Sequence, residues 1–104
     1  PKRLLICEGW ATGATLHEVS GHPVLCALNA GNLLPVATAA HASWLFADLV
    51  ICADNDRKTP GNPGLTAATA AARAVGARLA VPEFPEGVSG SDFNDLANLR
   101  KAAK

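Results

Sequence analysis

The stretch Leu49-Val50-Ile51-Cys52-Ala53-Asp54-Asn55-Asp56 decides the fold. Its apolar part is unbroken, as in a strand buried on both faces, and such strands belong to parallel sheets covered by helices on each side. Its polar end sets two carboxylates on the turn where the strand stops. In open parallel sheets, functional groups collect beyond the carboxyl ends of the strands, above all where the strand order reverses. One stretch therefore supplies both a core strand and a candidate site.

Working outward, the same pattern repeats. Leu4-Leu5-Ile6-Cys7 is a short apolar strand ending at Glu8-Gly9, and Trp10 to Val19 reads as a helix capped by Thr12 and closed by Ser20-Gly21-His22-Pro23. Val24 to Leu28 is a second buried strand. Asn29-Ala30-Gly31-Asn32 is a turn, and Leu33 to Phe46 a helix with Asn32 as cap and Pro35 in its first turn. After the third strand, Arg57 to Gly64 is a polar loop. Leu65 to Val75 is an alanine-rich helix stopped by Gly76, Arg78 to Val81 a fourth strand, Glu83 to Gly90 a loop, and Ser91 to Lys104 a final helix capped by Ser91. Strand alternates with helix throughout. The expected fold is α/β: a three-layer α/β/α sandwich, Rossmann-like, around a four-stranded parallel sheet, and right-handed crossovers make the strand order 2-1-3-4 natural.

Composition limits the rest. At 104 residues and 49% hydrophobic side chains the chain has the material for one core, so residues 1–104 are read as one domain. Nine basic and nine acidic residues cancel, which removes the basic footprint of a stand-alone nucleic-acid-binding module. No apolar run approaches a membrane span, and Pro1-Lys2-Arg3 opens no signal peptide, so a soluble cytoplasmic protein with no membrane partner is expected. Cys7, Cys26 and Cys52 lack C-x-x-C spacing and lie in apolar runs, as buried reduced thiols do. The missing initiator Met and the start directly on a strand predict a fragment of a longer protein. No Gly-x-x-x-x-Gly-Lys-Ser/Thr element is present, so the chain itself is no P-loop ATPase.

In the 2-1-3-4 order the first and third strands are neighbours, and Glu8 meets Asp54 and Asp56. Three carboxylates so close repel, raising at least one pKa unless a cation neutralises them. All-oxygen ligands suit magnesium or manganese, which take one or two carboxylates plus substrate phosphates. The expected chemistry is phosphoryl transfer.

Glu8-Gly9 and Asp54-Asn55-Asp56 resemble the Toprim family, found in bacterial-type primases, type IA and type II topoisomerases, some nucleases and recombination proteins. More narrowly, Cys7-Glu8-Gly9-Trp10-Ala11-Thr12, Leu28-Asn29-Ala30-Gly31-Asn32-Leu33, Ala53-Asp54-Asn55-Asp56 and Gly90-Ser91-Asp92-Phe93-Asn94-Asp95-Leu96 look like the Toprim segment of plasmid- or phage-borne primases and primase–helicases. The resemblance implies a metal-dependent nucleotidyl-transfer domain of a DNA primase, making RNA primers on single-stranded DNA from nucleoside triphosphates. Other primase or helicase domains would act beside it, and the fragment alone is expected to be inactive. Glu8, Asp54 and Asp56 are the implied catalytic residues, and with Asp92 the implied ligands of Mg2+ or Mn2+. Gly9, Asn55, Arg57 and Lys58 are the candidate substrate-binding set, the last two as charge-assisted donors to phosphate.

Other readings stay open. Asp54 and Asp56 have the composition of ordinary turn residues, and Asp92 that of a helix-start charge. A Toprim nuclease or topoisomerase-like domain uses the same acids, and a scaffold Toprim domain would bind DNA or a protein without catalysis. A strand-terminal D-x-D also begins haloacid-dehalogenase-type phosphatases, but after the first strand rather than the third. Trp10 and Trp44 are read as core or rim packing, with base stacking open to Trp10. His17, His22 and His41 are read as structural.

Overall fold

The computed structural model describes residues 1–102; the last two positions of the expected final helix, 103 and 104, lie outside the described residues. Four strands form one parallel sheet: β1 (Arg3–Cys7), β2 (Val24–Cys26), β3 (Asp48–Cys52) and β4 (Arg78–Ala80), in the order β2-β1-β3-β4. The helices are α1 (Trp10–Ser20), α2 (Leu33–Ser43), α3 (Pro63–Val75) and α4 (Phe93–Ala102), with a short 3-10 turn at Ala30–Asn32. The α/β class, the parallel pairing and the 2-1-3-4 order expected from the sequence are all observed.

Side chains alternate across the sheet and build two cores. Leu4, Ile6, Leu49, Ile51 and Ala53 face α2 and α3, meeting the small residues Ala37, Ala40, Ala68, Ala71 and Ala72. Leu5, Cys7 and Cys52 face the other way, against Leu16 of α1 and Phe93 of α4. Ile6 and Ile51 are fully buried, each worth about 1.5–3 kcal/mol relative to exposure. Alanine on α2 and α3 lets those helices approach the sheet closely. On the opposite face Gly13 serves the same end, because a Cβ there would lie 2.3 Å from Cys26 Sγ and 3.2 Å from Cys7 Sγ.

At the amino ends of the strands, Asp48 of β3 links β1 and β4, pairing with Arg3 at 3.1 Å and Arg78 at 3.3 Å. These partly exposed pairs contribute at most about 1 kcal/mol each. Cys7 and Cys52 are buried and their thiols are pushed up by that burial, Cys52 to about 11, as inert core thiols should be. Cys26, on the edge strand, is only partly buried. Among the described residues no helix is long and apolar enough to cross a membrane.

Several helix ends differ from the sequence reading. Gly9, not Thr12, is the N-cap of α1, and Thr12 is 1% exposed inside the first turn. Asn32 holds the N-cap position of α2 as expected but makes no side-chain cap bond, while Asn29 caps the preceding 3-10 turn by accepting the Asn32 N–H at 2.9 Å. Helix α2 stops at Ser43, leaving Leu45 and Phe46 in solvent, and α3 begins earlier, at Pro63. Before α4 the cap is Asp92: its Oδ1 accepts the Asp95 N–H at 2.8 Å while Asp95 Oδ2 accepts the Asp92 N–H at 3.3 Å. That reciprocal pair is a capping box, and Ser91 only contributes its own N–H to Asp95. Strand β2 ends at Cys26, earlier than expected, because Leu28 turns out of the sheet at φ 77°. For a side chain bulkier than glycine that conformation costs about 1–2 kcal/mol.

Candidate functional site

Strands β1 and β3 are the two central strands. Ile6 pairs with Ile51, so Glu8 lies two residues and Asp54 three residues beyond the same rung. Both strand ends are held on their outer sides. The Leu28 N–H donates to the Glu8 carbonyl at 2.7 Å, and the Ala53 N–H donates to the Ala80 carbonyl at 2.8 Å. The two acids are thereby fixed by backbone at the carboxyl edge of the sheet.

The electrostatics register how closely they meet. Burial first, then the adjacent Glu8 carboxyl, then Asp92 and Asp56, push the Asp54 carboxyl up to about 7. Glu8, Asp56 and Asp92, from the ends of β1 and β3 and the start of α4, thus all act on Asp54. Asp54 Oδ1 is buried and has no hydrogen-bond partner among the described residues. An unsatisfied buried acceptor costs roughly 1–3 kcal/mol, so this oxygen is held in place against its own preference for water.

Asp56 and Asp92 are tied differently. Asp56 Oδ2 accepts the Gly64 N–H at 2.9 Å, at the start of α3, where negative charge is favoured by about 0.3–1 kcal/mol. Asp92 spends one oxygen on the α4 cap. Neither bond uses the second oxygen of its carboxylate. The turn Asp54-Asn55-Asp56 is held by Asn62, which sequence reasoning left in a flexible loop. Asn62 Oδ1 accepts the Asp56 N–H at 2.7 Å and its Nδ2 donates to Asn55 Oδ1 at 2.8 Å. It is also the N-cap of α3, in the left-handed region at φ 41°. The neighbouring Asn62-Pro63 pair was the available signal, since Pro favours the first helical position after a cap.

Asn55 is a positioning residue in this arrangement: its side chain donates to the Pro82 carbonyl at 3.2 Å and its backbone N–H to the Ser91 carbonyl. It ties the loops after β3 and β4 to the start of α4. Gly9 caps α1 beside Glu8. The Arg57 guanidinium donates to the Val88 and Gly90 carbonyls, both at 3.0 Å, and lies 4.7 Å over the Phe84 ring. Lys58 is exposed next to it. Trp10, read as packing, is 72% exposed instead.

The donor set fits a hard divalent cation. Only carboxylate oxygens converge here, one of them orphaned, and a neighbouring positive charge would relieve both the orphaned oxygen and the mutual repulsion. Among the described residues no three such side chains stand close enough to form a cage, so a cation here would take most of its shell from water and substrate phosphate, as magnesium and manganese can.

A prediction about stability follows from Asp54. Its folded pKa lies above the unfolded value, so the folded state holds this proton more tightly. The corresponding stability is full below pH 4 and is lost as pH rises through 7. Discounted for the water a half-buried group still meets, the loss is about 1–2 kcal/mol. In chelator, Asp54→Asn should melt higher than the parent at pH 8 and no higher at pH 4. Thermal melts at the two pH values check it; a lower melting temperature at pH 8 would make the carboxylate a structural partner.

The family model described as Toprim domain matches residues 3–103. The chain is 46% identical over 88 residues to an Escherichia coli protein named DNA primase TraC, covering 81% of this chain and 8% of that protein. A second E. coli DNA primase TraC is 44% identical over 85 residues, 78% of this chain and 6% of that protein. The chain therefore spans less than a tenth of the length of these curated relatives. No solved structure matches it.

Proposed function

The chain belongs to the Toprim domain family, and from that premise we propose that residues 1–104 are the metal-dependent nucleotidyl-transfer domain of a cytoplasmic DNA primase. The observation that carries this reading is the buried, unpartnered Asp54 oxygen beside Glu8 at the ends of adjacent central strands, with Asp56 and Asp92 acting on the same carboxyl. The likeness to proteins named DNA primase supports reading the chemistry as RNA primer synthesis on a single-stranded DNA template from nucleoside triphosphates. The remaining primase or helicase domains, and most of the affinity for DNA, belong to other parts of a longer protein.

Glu8 and Asp54, with Asp56 and Asp92 at the margin, would hold Mg2+ or Mn2+, which when bound neutralises charge on the phosphates and makes an attacking hydroxyl more acidic. The chain's own residues do the rest. Asp54 gives up the proton it holds near neutral pH, so affinity for the cation should rise as pH climbs toward 7. The Gly64 N–H fixes the Asp56 carboxylate, and Asn62 and Asn55 lock the turn so that the acids need not reorganise when substrate arrives. Glu8 is positioned to act either on the cation or as a general acid or base on the nucleotide hydroxyl.

The test is to incubate the whole protein with single-stranded DNA, labelled nucleoside triphosphates and magnesium. The expected product is short RNA chains, lost in chelator and restored by Mg2+ or Mn2+. Shortened template with no new RNA would instead make this a Toprim nuclease.

A further inference from the structure

Two large apolar side chains flank Glu8, and neither is packed. Trp10 opens α1 two residues beyond Glu8 with 72% of its surface exposed, and Leu28, bonded through its N–H to the Glu8 carbonyl, is 70% exposed. Leu28 also holds a backbone conformation that glycine would adopt without strain. The fold gains little from a strained leucine whose side chain lies in solvent, and strain kept beside a site is commonly part of what the site does. Next to Trp10 an open groove of about 400 Å³ runs along the β2 edge, floored by Gly13, Ala14 and Val24 and bordered by His17 and Pro23.

We propose that Trp10 and Leu28 form a nucleobase platform for the nucleotide whose phosphates meet the Glu8–Asp54 carboxylates. The proposal rests on the phosphoryl-transfer reading above. A nucleotide is the ligand class whose two ends require the two surfaces found here side by side: phosphates that need a cation held by acids, and a base that needs a flat apolar surface. Stacking on an indole is available to every base, so the platform adds affinity without reading sequence. Its contribution corresponds to about 5- to 150-fold in affinity per stacked base. The base belongs either to the template strand or to the incoming nucleoside triphosphate; the chemistry is shared, and the experiment separates the two.

The 104-residue chain is titrated in magnesium at fixed low salt with a short oligothymidylate, with an abasic strand of the same length, and with UTP, while the Trp10 indole and Leu28 methyl resonances are followed. Ring-current shifts at both residues are expected with the base-bearing ligands and not with the abasic strand. A response to the oligonucleotide alone assigns the base to the template, and a response to UTP alone assigns it to the incoming nucleotide. Equal shifts with the abasic strand, or no shift at either residue, overturn the platform.

In the whole protein, Trp10→Ala should raise KM by about tenfold with kcat little changed, Trp10→Phe should restore most of it, and neither should shift the melting temperature. Leu28→Gly should melt no lower than the parent and still raise KM. A Trp10→Ala variant with unchanged KM counts against the platform. Glu8→Gln separates the two readings. Loss of synthesis in that variant with no base-dependent shift at Trp10 in the parent chain removes the platform alone. Persistent shifts with synthesis unaffected by Glu8→Gln remove the phosphoryl-transfer reading and leave a nucleobase-binding surface.

Discussion

Glu8→Gln is expected to lower primer synthesis by at least about 100- to 1,000-fold while leaving affinity for single-stranded DNA within about twofold of the parent. Removing one preorganised electrostatic partner of a transition state typically costs that much in rate. The substitution keeps the size and hydrogen-bonding reach of the side chain, and the Glu8 backbone remains anchored through its carbonyl to Leu28. Only the charge is lost. Affinity for a polyanion comes mainly from lysine and arginine contacts to phosphate, and this chain has a formal charge of +0. Losing one negative charge should if anything reduce repulsion of the strand. Primer yield and template affinity, measured at the same salt and magnesium, check the pair of outcomes. Near-normal synthesis would move the account toward a Toprim domain that binds without catalysing.

The second large effect is expected at Gly64, a residue that carries no functional group. An alanine Cβ there would sit 2.8 Å from Asp54 Cβ, 2.8 Å from Asp56 Oδ2 and 3.2 Å from the Asp54 carbonyl oxygen. Asp56 Oδ2 could swing away, but only by abandoning the Gly64 N–H it accepts. The Asp54 backbone has less freedom, since Ala53 on one side is bonded to Ala80 and Asn55 on the other to Ser91 and Pro82. The start of α3 would therefore back away from the turn and take Asn62 with it. Overpacking of this kind costs about 1–3 kcal/mol, which lowers the melting temperature of a domain this size by roughly 4–8 °C for each kcal/mol. A displacement of the acids approaching 1 Å would cost on the order of 100-fold in synthesis. Gly61→Ala is the control. Unlike Gly64 it has a positive φ, 79°, but nothing lies within 4 Å of the added methyl, so it should lose a little stability and no activity. Equal activity losses in the two variants would mean that the loop acts through its flexibility rather than through close contact with the acids.

The contrast between these two residues shows what the sequence made legible. Strand order was readable because Leu4–Cys7 and Leu49–Ala53 are apolar runs that only a two-sided core accommodates, and chirality leaves few ways to connect them. The acids were readable because a carboxylate directly after such a run stands at the sheet edge whatever the details of the loops. Caps were harder. Ser, Thr, Asn and Asp all cap helices, and the choice of Asp92 over Ser91 depends on the angle at which the chain enters the helix. Trp44, Leu45 and Phe46 read as further turns of an apolar helix, yet Phe46 is fully exposed, because α2 ends before that segment could reach the core. Gly64 and Asn62 looked like loop residues for a related reason. Their roles exist only where the start of α3 meets the turn after β3, a contact between segments that no local pattern encodes.

The proposed function requires that the carboxyl ends of β1 and β3 hold a divalent cation. Manganese stands in for magnesium on oxygen ligands and broadens the NMR signals of nearby nuclei, so titrating the chain with Mn2+ at pH 7.5 tests the claim directly. The account predicts broadening centred on Glu8–Trp10 and Ala53–Lys58, extending to Asp92, displaced by excess Mg2+ and weakened at least about tenfold in Asp54→Asn. Broadening confined to the Glu83–Glu86 loop, or unchanged in Asp54→Asn, would contradict it.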